Sequence, residues 1–426
     1  MTLIILLGTF VLLLAIGMPI SFCLALSSLA SILFLDLSPL VVLQRIFAGV
    51  NVFALIAIPF FIYSGEILLH GGASERMVRF ANSMVGHLRG GLGQVNVVTS
   101  LLFGGISGSA IAGVSAVGGV LIPKMKEQGY DADYAVNVTV SASTLGLMIP
   151  PSHNMIIYAI AAGGGVSVGD LFLGGIFPGI LTAGLLMIAA YFVARKRNYA
   201  TTAFVGWGHI GHTFLAAAPG LLMILIIVGG IRLGIFTPTE ASAIAVVYGI
   251  AIAFWAYREM DLKKFWQVTG NATRTVASVL FLIAAANAFG WVLAISDTPS
   301  AVSDIVTGLT ENRILVFLLI NLTLLLLGTV MDMAPLIIIA TPIFLPIAQS
   351  FGMDPTQFGV MLIMNLGVGL ITPPVGTALF VGCAVGHTRV EQLMGSIWPF
   401  YLAHLAAILL VTFVPAFTLA LPAWLS

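Results

Sequence analysis

The stretch LGLMIPPSHNM, Leu145 to Met155, decides how this chain is read. It lies inside a long apolar segment, yet two consecutive prolines interrupt it. Proline lacks a backbone N–H and clashes with the preceding turn, so the pair ends a helix and leaves carbonyls without partners. In a lipid bilayer such a break is tolerated only where protein buries it or where it lines a cavity. Nearly the same string returns as VGLITPPVGTA, Val368 to Ala378, again within an apolar segment.

The rest of the chain fixes the solvent. Of its 426 residues 60% are hydrophobic and only 8% charged, with a mean hydropathy of +1.12. A soluble domain carries about 25% charged residues, so this composition is that of an all-α polytopic membrane protein. The net charge is zero, which gives no support to nucleic acid as a partner. Cys23 and Cys383 both fall in apolar runs and read as packing residues rather than a disulfide. The opening MTLIILLGTFVLLLAIGMPI has no basic start and no small-residue cleavage site, so it reads as a retained membrane helix. No nucleotide fingerprint or metal-spaced Cys/His cluster appears, and no cofactor is implied.

Spans of about 20 apolar residues are expected near 3–35, 51–69, 133–165, 169–194, 213–231, 238–257, 272–296, 357–386 and 396–424. Two stretches, near 92–122 and 314–350, are apolar but crowded at their centres with Gly, Pro and small polar residues, as re-entrant hairpins are. Pieces near 36–50 and 258–270 are amphipathic and suited to the interface. Placing Arg76, Arg79 and Arg89 in the cytoplasm and threading the spans leaves Arg45, Arg232 and Arg313 outside and the other thirteen basic residues inside. That asymmetry obeys the positive-inside rule.

The two proline strings are offset by 223 residues. At the same offset Pro123 meets Pro346, Gly129 meets Gly352, Asp131 meets Asp354, Gly146 meets Gly369 and Gly163 meets Gly386. The register holds for about forty residues, too long for coincidence, and the charge-derived topology opens the first hairpin to the cytoplasm and the second to the periplasm. We therefore expect an inverted-topology repeat, with residues 1–195 as the first copy, 196–235 as a connecting segment and helix, and 236–426 as the second. Paired, interrupted helices in inverted halves point to the binding site of a secondary transporter. Carbonyls before each break suit a cation and N–H groups after it suit an anion.

The motifs AIPFFIYSGEILLHGG (57–72), GHLRGGLG (86–93), FGGISGSAIAGVSAVGGVLIP (103–123), GIFTPTEASA (234–243), GTVMDMAPLIIIATPIFLPI (328–347) and DPTQFGVM (354–361), with the two proline strings, cover essentially the whole chain. On these residues it resembles the large membrane subunit of tripartite ATP-independent periplasmic (TRAP) transporters, within the ion-transporter superfamily. The resemblance implies a sodium-driven importer of organic acids in the bacterial inner membrane, fed by a soluble periplasmic binding protein and accompanied by a small four-helix membrane subunit. It also implies an elevator, in which hairpins and broken helices form a transport domain sliding against a scaffold. Two positions depart from the family pattern: Gly113, where many relatives carry a carboxylate, and His153, where an apolar residue is usual.

Within that frame one sodium site is expected from Ser107, Gly108 and Ser109 at the first hairpin turn with Gly146, Ile149 and Ser152 at the first break. Glycines admit the backbone, and hydroxyl and carbonyl oxygens suit a hard cation. The second site is expected from Gly328, Met331 and Asp332 facing Gly369, Thr372 and Val375. Ser109, His153, Asp332 and Thr377 are the candidate substrate contacts. Each has a structural alternative: small residues can simply pack helices, Asp332 can cap a helix, and His153 can pack. Thr237-Pro238-Thr239-Glu240 reads first as a helix start, Glu66 is left open between scaffold and interface, and Arg195-Lys196-Arg197 reads as a topology anchor. The competing functions are a stand-alone sodium/carboxylate symporter, which needs no receptor, and a membrane enzyme built on Asp332 or His153, for which no acid/base constellation is present.

Overall fold

The computed structural model describes residues 1–425, and every regular element among them is helical. The segment expected as one span at 3–35 is two helices, α1 (Thr2–Ala15) and α2 (Ile20–Phe34), which pack on each other. Gly17, at φ +85°, turns the chain and Pro19 cannot continue the helix. Leu6 and Phe10 meet Cys23, Leu24 and Ile32 in a small core of their own. α3 (Leu40–Val50) follows, then a 3₁₀ turn (Phe53–Ile56) that runs into α4 (Ala57–His70), and α5 (Ala73–Val85).

The first expected hairpin is α6 (Gly91–Ser107), a turn at Gly108-Ser109, and a return through α7 (Ala110–Gly113), a π-helical turn (Val114–Gly118) and α8 (Gly119–Glu127). The first broken helix is α9 (Ala132–Ser143) with a 3₁₀ turn (Thr144–Leu147), a non-helical stretch at 148–152, and α10 (His153–Ala161). Then come α11 (Val168–Lys196), α12 (Trp207–Arg232), α13 (Pro238–Ala251), α14 (Leu262–Ile295) and α15 (Thr298–Leu309). The 258–270 stretch is thus no separate interfacial piece. Most of it joins α14, whose 34 residues extend about 51 Å at 1.5 Å each, well beyond a hydrocarbon core.

The second hairpin is α16 (Arg313–Gly328), a turn at 329–332, and α17 (Met333–Ser350). The second broken helix is α18 (Pro355–Gly369), a non-helical stretch at 370–376, and α19 (Thr377–Gly386). The chain ends with α20 (Val390–Met394), α21 (Trp398–Phe413) and α22 (Ala416–Leu425). The last two make a bent pair, 57° apart at Val414-Pro415, where one straight span was expected.

Among the described residues six helices are long and apolar enough to cross a membrane, or seven with the bent pair taken as one span. α12, α13 and α21 turn Leu215, Leu225, Val247 and Leu402 outward, an apolar exterior suited to lipid tails. The broken helices form the interior instead. Residues 134–152 are buried without interruption, and so are 357–371 except Val368. Positions paired at the offset of 223 share local backbone: Gly129 and Gly352 have φ of +81° and +80°, and Asp131 and Asp354 are extended N-caps of α9 and α18.

The two caps use their carboxylates differently. Asp354 accepts the N–H groups of Thr356 and Gln357. Asp131 instead takes the guanidinium of Arg197 at 2.8 Å and the hydroxyl of Tyr199 at 2.7 Å, and the other guanidinium nitrogen binds Asp133 at 2.7 Å. Arg197, expected only as an anchor, therefore ties the end of α11 to the start of the first broken helix.

Candidate functional site

The site is assembled from two glycine contacts. A Cβ on Gly104 of α6 would lie 2.6 Å from Gly146 Cα in the 3₁₀ turn, so the first hairpin arm and the first broken helix touch backbone to backbone. A Cβ on Gly369 of α18 would overlap the Gly328 backbone at the end of α16, the corresponding contact in the second half. Nothing larger than glycine fits at either crossing. The second crossing is extended by a hydrogen bond from Val375 N–H to Thr329 O at 3.0 Å, which joins the post-proline chain to the hairpin turn. The Pro150–Pro151 and Pro373–Pro374 bonds are both cis.

These crossings bring both turns and both breaks to one cavity of about 500 Å³. Ser107 and Ser109 line it from the first turn, Asp332 from the second, Leu147, His153 and Asn154 from the first break, and Leu370 from the second. Glu66 and His70 of α4 and Thr275 of α14 close the opposite wall. Three helices begin at this cavity: α7 after Ser109, α10 after Ser152 and α17 after Asp332. Their first-turn N–H groups, apart from the two taken by the Ser109 and Asp332 side chains, and their positive dipole ends favour an anion. Among the described residues no Lys or Arg lines the cavity, so anion recognition falls to backbone N–H groups and the imidazoles of His70 and His153. The hydroxyls of Ser107, Ser109, Ser115 and Thr275 and the carboxylates of Glu66 and Asp332 are hard oxygens for a cation.

Each expected residue has a definite place. Ser109 caps α7, its Oγ accepting Ala112 N–H at 3.4 Å, and Ser107 Oγ donates to Ser109 O at 3.5 Å. Gly108, at φ +58°, lies against Pro151 and Ser152, and the buried Ser152 Oγ has no hydrogen-bond partner among the described residues. Ile149 turns its side chain onto Gly105 and Gly179, so only its backbone is free for the site. Asp332 caps α17, Oδ1 accepting Met333 N–H at 2.9 Å, so the capping alternative is realised in the same residue that lines the cavity. Met331 is half-buried and packs against the core, and Thr372 Oγ1 donates to Val368 O at 2.7 Å. Thr377 lies outside the cavity lining, at the start of α19, with its Oγ1 buried and unpartnered among the described residues.

Glu240 makes a capping box with Thr237, the structural role its motif suggested. Glu66 is a wall residue of the cavity, and His70 stands beside it, Nδ1 3.5 Å from its carboxylate. Their i,i+4 spacing inside an apolar helix was the available signal for the pair.

The chain matches the model of the family described as "Tripartite ATP-independent periplasmic transporter, DctM component" over residues 7–417. It belongs to that family. This DctM component is similar to the uncharacterized protein YgiK of Salmonella typhimurium, 42% identical over 98% of this chain and 97% of that one. It is 36% identical to the C4-dicarboxylate TRAP transporter large permease protein DctM of Rhodobacter capsulatus, over 99% of both chains. Among solved structures the YdaH transporter of Alcanivorax borkumensis shares its fold, with a TM-score of 0.62 over 88% of this chain and 87% of that one at 14% identity. The DctM component is thus a multi-pass membrane permease of a TRAP transporter.

Proposed function

We propose that this DctM component is the translocating subunit of a sodium-coupled importer of an organic acid in the bacterial inner membrane. The observation that carries the reading is the convergence of two hairpin turns and two helix breaks on one cavity, with three helix N-termini and a set of hard oxygens facing the same space. An acid bound there meets N–H groups, and sodium bound at the Ser107–Ser109 and Asp332 ends offsets its charge. The acid is a C4-dicarboxylate, a sugar acid or a keto acid. The periplasmic receptor delivers it, and the small membrane subunit stands beside the scaffold.

Residues 1–195 and 236–426 are read as inverted copies, and the matched backbone at Gly129 and Gly352 and at Asp131 and Asp354 supports this. In an elevator cycle the hairpins and broken helices move together against α4 and α14, which supply the far wall of the cavity.

The test is uptake in proteoliposomes holding this chain and its small partner, driven by loaded receptor. Uptake is expected to collapse when external sodium is replaced by choline, and uptake indifferent to the replacement overturns sodium coupling. Saturable uptake without receptor would favour the stand-alone symporter.

A further inference from the structure

A second cavity, of about 310 Å³, lies along the same seam as the first. α10, α14 and α17 wall both. The first takes His153, Thr275 and Met333, and the second takes residues farther along the same helices: Ile157 and Ile160, Asn287 and Trp291, Ile338 and Pro342. Of two neighbouring residues on α14, Leu282 lines the first and Ile283 the second. The remaining wall is α3, which brings Arg45 and Gly49, with Leu55 of the 3₁₀ turn that follows it. A Cβ on Gly49 would lie 2.5 Å from Asn287 Cβ, so the glycine is what seats α3 on that asparagine.

Among the described residues this cavity has one cation and no carboxylate in its lining. The Arg45 guanidinium lies 4.5 Å above the Trp291 ring and makes no ion pair or hydrogen bond among the described residues. The Asn287 amide likewise has no hydrogen-bond partner among them. Arg45 is exposed, so its side chain meets solvent at the mouth of the cavity. Here the indole face holds the guanidinium against the cavity wall and leaves its N–H edge unused, the edge that binds a carboxylate with two parallel hydrogen bonds. Asn287 adds a donor beside it, and the isoleucines suit a short carbon chain. The basic-residue count places Arg45 on the outer side, so the second cavity lies toward the face from which substrate arrives.

We propose that the second cavity is a staging site for the carboxylate of the incoming organic acid, held by Arg45 and Asn287 before the hairpin site receives it. This rests on the organic-acid reading above, but its test needs no sodium and no turnover. The probe is Ile338→Cys, a wall position of the same cavity that leaves both proposed donors in place, with Cys23 and Cys383 replaced by alanine, in phosphatidylcholine vesicles with the small subunit. The rate of thiol modification by anionic 2-sulfonatoethyl methanethiosulfonate is compared with that by its cationic trimethylammonium counterpart.

The anionic reagent is expected to be favoured, and succinate or gluconate to slow it by about tenfold, the scale of a charged hydrogen-bonding partner. Arg45→Gln is expected to erase both effects. A reagent preference unchanged by Arg45→Gln, or no protection by either acid, overturns the proposal. Protection only by phosphatidylglycerol in the vesicles also overturns it, assigning the cavity to a lipid phosphate. Should the cysteine replacements not fold, Arg45→Gln and Arg45→Lys in the otherwise native chain give a second measurement. The glutamine variant is expected to raise the KM of uptake about tenfold with kcat little changed, and lysine to restore part of it. A loss confined to kcat overturns the staging role. If uptake proves independent of sodium while protection persists, the coupling reading fails and the staging site stands.

Discussion

At the scale of single residues, Asp332 does two things that substitution can separate. Its Oδ1 caps α17 through Met333 N–H, and its carboxylate faces the cavity. Asparagine caps about as well as aspartate, so Asp332→Asn removes the charge and keeps the cap. We expect that variant to express normally and to need more sodium for half-maximal uptake. Ser109→Ala removes one oxygen and a long cap bond of 3.4 Å while leaving the backbone carbonyls, so its loss is expected to be milder, about 1–2 kcal/mol in coupled binding. Uptake rate against sodium concentration checks both. An unchanged curve for Asp332→Asn assigns the residue to structure alone. These two residues were legible in the sequence because an acid, or a serine pair around a glycine, is costly inside an apolar run unless it binds or caps something there. Arg197 was not, since its partners Asp131 and Asp133 lie more than sixty positions away and only the folded chain brings them together.

At the scale of elements, the glycine crossings make a sharper prediction than the prolines. A methyl group on Gly369 would have to occupy the Gly328 backbone, and backbone cannot rotate away as a side chain tip can. Gly369→Ala is therefore expected to separate the second hairpin from its broken helix, at a cost of about 1–3 kcal/mol or more, and to lower the thermal midpoint in detergent. Gly184→Ala, on the exposed face of α11 with nothing near its Cβ, is expected to be neutral or slightly stabilising. Equal midpoints for the two variants would show that the crossing is loose. Both broken helices and both hairpins could be read from local chemistry, because Pro-Pro and Gly-rich turns act where they stand. The ends of the other helices could not. Hydropathy runs straight through Gly17–Pro19 and Val414-Pro415, where the chain turns, and it gives no sign that the polar 262–271 stretch continues into α14.

At the scale of the whole molecule, the correspondence of two sequence stretches was visible as an offset of 223, but the meeting of the two turns and two breaks at one cavity was not. Periodicity says which segments correspond and nothing about where they meet. That meeting depends on tertiary contacts such as Gly104 on Gly146. The inverted topology itself can be decided from outside the protein. Glu127 and Ser350 are equivalent at the offset, each sits at the end of a hairpin's return arm, and both are exposed. They are better positions for a label than the neighbouring Gly129 and Gly352, whose φ near +80° a cysteine would strain. If the halves are inverted, the basic residues Lys124 and Lys126 keep the first position in the cytoplasm and the second lies in the periplasm. With Cys23 and Cys383 replaced, a membrane-impermeant maleimide added to intact cells is therefore expected to label Ser350→Cys and to spare Glu127→Cys until the cells are opened. Labelling of both from the same side would make the repeat parallel. The hairpin turns would then approach the membrane from one face, and a cavity shared by both could not be offered alternately to the two sides by moving hairpins and broken helices as one body.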